Sequence, residues 1–190
     1  MSEMIGNGAP VHKPRKGARV EPVNELSVFL TVKPGREELV RKAFHAEAAG
    51  TALADAVTAV GTLHQARYVL FDEGTRLLIA TTFDGDWDVY IDDFAAVGVL
   101  DAWDTFLIHC EGYPDEGWRA ALTAEQVKDF LTENQVTAED FWLMYQGVTA
   151  KEITKALALQ QAFQQALDSP DAAEALQHPA MKPLLDVAAD

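Results

Sequence analysis

Residues 61–85, GTLHQARYVLFDEGTRLLIATTFDG, decide the fold. Tyr68-Val69-Leu70-Phe71 and the run from Leu77 to Phe83 are apolar and β-branched, as strands prefer. Between them, Asp72-Glu73-Gly74-Thr75 has the composition of a tight turn. The stretch therefore predicts an antiparallel hairpin. Alternation along its first strand puts His64, Ala66, Tyr68 and Leu70 on one face, and Leu63, Gln65, Arg67, Val69 and Phe71 on the other. The polar residues His64, Gln65, Arg67 and Asp84 gather at the end away from the turn, where a cleft is expected.

Upstream, Leu26, Val28, Leu30 and Val32 alternate with Ser27, Phe29 and Thr31, so Glu25 to Lys33 reads as a first strand ended by Pro34-Gly35. Arg36 to about Ala49 is helical in pattern, and a second helical piece runs to Val60. Beyond the hairpin, Asp86 is placed to cap a helix carrying Trp87, Tyr90, Ile91 and Phe94. Gly98 ends it, and Leu100 to Ile108 reads as another short helix. Thr123 and Gln126 have the spacing of a capping box, as do Thr149 and Glu152. Phe141 to Tyr145, short and aromatic, reads as a fourth strand.

The predicted order is βαββαβ, the ferredoxin-like α+β arrangement. It gives an antiparallel sheet with helices on one face, plus extra helices before the fourth strand and at the C-terminus. The expected division is an unstructured leader over 1–23, an α+β domain over 24–148, and a helical extension over 149–190 packed on it. The second sheet face carries Phe29 and other apolar side chains, so a homodimer formed through the sheet, or cover by the extra helices, is expected.

The charge is strongly acidic, −15 over 190 residues. Residues 1–20 hold four basic residues and one acid, a balance of +3 that leaves −18 for the rest. Such a body repels nucleic acid and anionic membranes, and neither is expected as a partner. The single cysteine, Cys110, permits no internal disulfide and fits a reducing cytoplasm. No segment is long and apolar enough to span a bilayer.

Three motifs carry a resemblance: Gly61-Thr62-Leu63-His64 with Ala66-Arg67; Phe83-Asp84-Gly85 with Tyr90 and Asp92-Asp93-Phe94; and His109-Cys110-Glu111-Gly112-Tyr113-Pro114. Over about residues 25–167 the chain resembles a poorly characterised bacterial family assigned to the dimeric α+β-barrel superfamily. That superfamily includes proteins similar in fold to dye-decolourising peroxidases, chlorite dismutase-like haem enzymes and cofactor-free monooxygenases. The resemblance implies small-molecule chemistry, oxidoreductase-like, with haem as a possible cofactor. Thr81 stands where the first glycine of the peroxidase pattern G-x-x-D-G would be, a departure from that pattern.

His64, Arg67 and His109 are the candidate catalytic residues, with Phe29, Thr31, Asp84 and Tyr145 as candidates for contacting the substrate. His64 reads as a general base, an axial iron ligand or a hydrogen-bonded structural histidine. His64 and Arg67 lie three apart and point to opposite faces unless a bulge intervenes. Arg67 is expected to be buried and paired, with Asp84 as the nearest carboxylate, or to hold an anionic ligand. His109 follows a helix and either caps it or reaches a cofactor. The spacing of Asp84, Asp86 and Asp88 matches the start of a calcium loop, but Val89 occupies the required glycine position. Two functions remain open: an enzyme with its pocket between sheet and helices, or a non-catalytic module that binds a small molecule or a protein.

Overall fold

The computed structural model describes residues 19–48 and 52–188. The chain forms two compact units, which divide between Ala150 and Lys151. The first is an α+β unit. It contains strands β1 (Arg19–Val20) and β2 (Val23–Thr31), helices α1 (Glu37–Ala48) and α2 (Ala52–Val60), and strands β3 (Leu63–Phe71) and β4 (Arg76–Asp84). Helices α3 (Trp87–Val97), α4 (Val99–Leu107), α5 (Trp118–Ala121) and α6 (Ala124–Glu133) follow. The second unit carries most of α7 (Ala150–Leu167), α8 (Ala173–Leu176) and α9 (Lys182–Ala188).

The strands form one antiparallel sheet in the order β1-β2-β4-β3. The expected hairpin is β3 and β4. Its turn, Asp72–Gly74, holds Asp72, Glu73 and Gly74 at positive φ. The expectation of a leader running to residue 23 is corrected at its end. Arg19–Val20 is a strand, and β2 already begins at Val23. Residues 1–18 lie outside the described residues.

The helices cover one sheet face. Register pairs Leu26 with Thr81, Val28 with Ile79 and Leu30 with Leu77, so these side chains share that face. Most of them are fully buried, together with Phe83, Trp87, Tyr90, Phe94, Trp103 and Phe106. Phe83 stacks on Tyr90 at 3.7 Å between ring centroids, and Trp103 Nε1 donates to the Tyr68 hydroxyl at 2.9 Å. Large rings dominate because each buries much apolar area and the indole still finds an acceptor. The helix starts were legible. Asp86 caps α3 by accepting from the Asp88 N–H, and Thr123 with Gln126 forms a capping box on α6.

Phe141–Tyr145 is not a strand. It is irregular, with Trp142, Met144 and Tyr145 largely exposed. The reason lies at the free edge of β2, which three other pieces occupy. β1 pairs with Val23 and Asn24. Further along, Phe29 N–H donates to Asn134 and Val136 N–H donates to Ser27, around a bridge between Val28 and Gln135. Lys33 N–H then donates to His109, and Glu111 N–H to Thr31, around a bridge between Val32 and Cys110. With that edge filled, the aromatic run cannot join β2 as the expected fourth strand.

Candidate functional site on the outer face of the sheet

The face away from the helices is ordered in cross-strand rows. Glu25, Thr82 and Gln65 form one row, and Ser27, Ala80 and Arg67 the next. Phe29, Leu78 and Val69 follow, and then Thr31, Arg76 and Phe71. One end of the face is thus polar and the other apolar. Over the polar end lies a cavity of about 280 Å³, with the segment from Ala138 to Trp142 as its wall. Short side chains at Ser27, Ala80 and Thr82 leave the space that larger ones would fill. This cleft lies on the face opposite the helices, whereas the expected pocket was between sheet and helices.

Glu25 fastens the wall to the sheet. It is 3% exposed, one carboxylate oxygen accepts from Ser27 Oγ at 2.7 Å, and the other accepts from Ala138 N–H at 3.1 Å. A buried carboxylate is tolerable only with such donors. Asp140, also in the lining, accepts from Trp142 Nε1 at 2.6 Å. Arg67 lines the same cleft but is exposed, and its guanidinium has no ion pair among the described residues. The expectation of a buried, paired Arg67 is thus overturned. Its face carries no helix layer, so water replaces the partner that burial would have demanded.

Asp84 pairs with His64 instead. The His64 Nε2 to Asp84 Oδ1 distance is 2.7 Å, and the second carboxylate oxygen accepts from Ala150 N–H at 2.7 Å. The two side chains are 15% and 10% exposed. A carboxylate that accepts from this ring makes Nε2 the donor of the pair. A bulge makes this pairing possible. The register shifts between Leu63 and Gln65, Leu63 pairs with Phe83 on the core face, and His64 is the extra residue. From Gln65 onward the alternation expected from sequence holds.

His109 is elsewhere. It sits beside Val32, while Asp84 pairs with Val23, and that length of strand spans about 30 Å. His64, Arg67 and His109 therefore do not converge on one pocket. Phe29 lies in the apolar rows and meets Phe71 edge-on, Thr31 is exposed, and Tyr145 is 66% exposed. Of the expected site residues, only Arg67 lines the cleft, with the His64–Asp84 pair in the neighbouring positions of β3 and β4. Sequence reasoning missed Glu25 and Trp142. Glu25 was discoverable, because it continues the outer face of Ser27 and Phe29 by one alternation.

The surroundings of His109 are structural. Lys33 Nζ donates to the carbonyls of Ile108 and Tyr113 and to Asp115, and Arg36 also grips Asp115. Those bonds hold the Asp115 carboxyl down at about 2. Burial lowers the His109 pKa, and the nearby Arg36 and Lys33 charges lower it further. A depressed histidine pKa contributes stability that is complete above the unfolded value, about 6.5, and is lost as pH falls through the folded one. Urea midpoints are thus expected to drop between pH 7.5 and 5, and to drop less in His109→Gln. An equal drop in both proteins would refute this assignment. Cys110 is fully buried and its thiol is pushed up to about 12, so it is no nucleophile at neutral pH.

The chain matches no known protein family, no curated protein and no solved structure. Among the described residues no group of three or more His, Cys, Asp or Glu is placed to hold a metal ion. No helix among them is long and apolar enough to cross a membrane. The cleft lining contains no His, Cys, Met or Tyr, the side chains that ligate haem iron, so these residues do not fit haem.

Proposed function

We propose that this chain binds a small polar molecule in the cleft on the outer sheet face. One observation carries the reading: a cavity between sheet and wall segment is lined by a guanidinium that makes no ion pair or hydrogen bond among the described residues. Wall and floor are held by the hydrogen bonds that Glu25 accepts, so the cavity exists before a ligand arrives. Trp142 reports on it. The other three tryptophans, Trp87, Trp103 and Trp118, are buried, whereas Trp142 is 81% exposed. A ligand in the cleft is expected to protect Trp142 from acrylamide quenching. A screen of small metabolites in which none reduces quenching by acrylamide would sink the proposal.

A second reading, an enzyme of small-molecule metabolism, is favoured by the His64–Asp84 pair. Asp84 orients the ring and leaves Nδ1 to take a proton from a bound substrate. Oxidoreductase chemistry is the class that the resemblance implies. Under this reading His64→Gln abolishes turnover and leaves ligand protection of Trp142 intact.

The βαββ run with helices on one face supports a ferredoxin-like reading of the fold, within the dimeric α+β-barrel superfamily. The apolar rows of the outer face, with Val69 43% exposed, support association with a second copy. Light scattering is then expected to give at least twice 20.8 kDa, and a clean monomer would remove that reading.

A further inference from the structure

We infer that the cleft selects a monocarboxylate attached to a small planar apolar body. This rests on the cleft being the binding site, and it names the class of ligand. The inference follows from which polar groups in the lining are already engaged. Both oxygens of Glu25 accept protein hydrogen bonds, from Ser27 and from Ala138. Asp140 accepts from the indole of Trp142. The side chains of Gln65 and Arg67 make no hydrogen bond or ion pair among the described residues. Arg67 and the Gln65 amide therefore offer free donors in the cleft, and a ligand that brings acceptors would use them.

The shape of the donor narrows the choice. A guanidinium offers parallel N–H groups that match the two oxygens of a carboxylate or the oxygens of a phosphate. The charges nearby separate these two. Glu25 and Asp140 lie in the same lining, so a second negative charge on the ligand meets two fixed carboxylates and only one cation. A single negative charge meets Arg67 at closest range, and each further charge adds repulsion from Glu25 and Asp140 with no second cation to offset it. Size and surface set the rest. A space of about 280 Å³ is small for a ligand pocket, and Phe141 and Trp142 supply ring surface at its wall. A benzoate-sized molecule fits this description, with its carboxylate shared between Arg67 and the Gln65 amide and its ring against the wall.

The test uses the full chain with benzoate, benzamide and phenyl phosphate as probes at matched concentrations. Binding is read from the backbone amide shifts of Gln65, Ala80 and Thr82 and from acrylamide quenching of Trp142. Benzoate is expected to bind more tightly than the other two. Arg67→Ala should weaken benzoate about tenfold or more, the loss typical of a charged hydrogen-bonded contact, and Arg67→Lys should restore only part. Arg67 is exposed, so both variants should keep the wild-type thermal midpoint. If benzamide or phenyl phosphate binds as tightly as benzoate, or Arg67→Ala leaves benzoate unchanged, the ligand class is wrong and the cleft survives as a site. If no probe moves these amides or protects Trp142, the ligand class is refuted, and the metabolite screen read by acrylamide quenching decides separately whether the cleft is a binding site.

Discussion

Asp84→Ala is expected to destabilise the first unit by about 2–4 kcal/mol. The carboxylate is 10% exposed and serves two donors, His64 Nε2 and Ala150 N–H, each at 2.7 Å. Alanine removes both acceptors and leaves both donors facing a space that water fills poorly. Charged hydrogen bonds of this length contribute about 1.5–3 kcal/mol each, and their sum exceeds the net because partial resolvation offsets some of it. Asp84→Asn should cost less, since its amide oxygen still accepts one of the two bonds. His64→Ala removes one donor and should cost less than Asp84→Ala. A double-mutant cycle between positions 64 and 84, read by urea unfolding, should return a coupling of about 1 kcal/mol or more. A loss below about 1 kcal/mol in Asp84→Ala would mean that water replaces the carboxylate and that the pair orients nothing.

The same stretch shows what a sequence reveals and what it hides. Apolar runs around Gly74 specified β3, β4 and their turn, because strand composition and punctuation are local properties. The caps at Asp86 and Thr123 were equally legible for the same reason. The bulge at His64 was not, since alternation cannot display an inserted residue. It reversed the facing of Leu63 and brought His64 to Asp84. The aromatic run at Phe141–Tyr145 misled because strand composition says nothing about whether an edge is free, and that of β2 is taken. Arg67 misled for a related reason. Its apolar neighbours suggested a covered face, and cover is a property of the assembled layers rather than of the strand. Neither could the distance between His64 and His109 be read locally, because it depends on which end of β2 each segment meets.

Gly117→Ala should cost about 3 kcal/mol, for two separable reasons. Gly117 adopts φ +81° and ψ 168°, a region that side chains other than hydrogen essentially never enter. A Cβ placed there would also lie 2.5 Å from Asp104 Oδ2 and 3.1 Å from its Cγ. That carboxylate cannot swing away cheaply. It accepts from the Tyr113 hydroxyl at 2.6 Å and from Trp118 N–H at 3.1 Å, so it ties α4 to the loop that leads into α5. Gly147 supplies the control. It has φ +75° and nothing within 4 Å of the point where a methyl would stand, so Gly147→Ala carries backbone strain alone, about 1 kcal/mol. The difference between the two variants measures the clash. Combining Gly117→Ala with Asp104→Ala removes the obstructing carboxylate, so the double variant should lose less than the two single losses added together. Equal losses at Gly117 and Gly147 would show that Asp104 yields to the methyl, and that the Tyr113–Asp104–Trp118 linkage is soft rather than a fixed tie between α4 and the loop leading into α5.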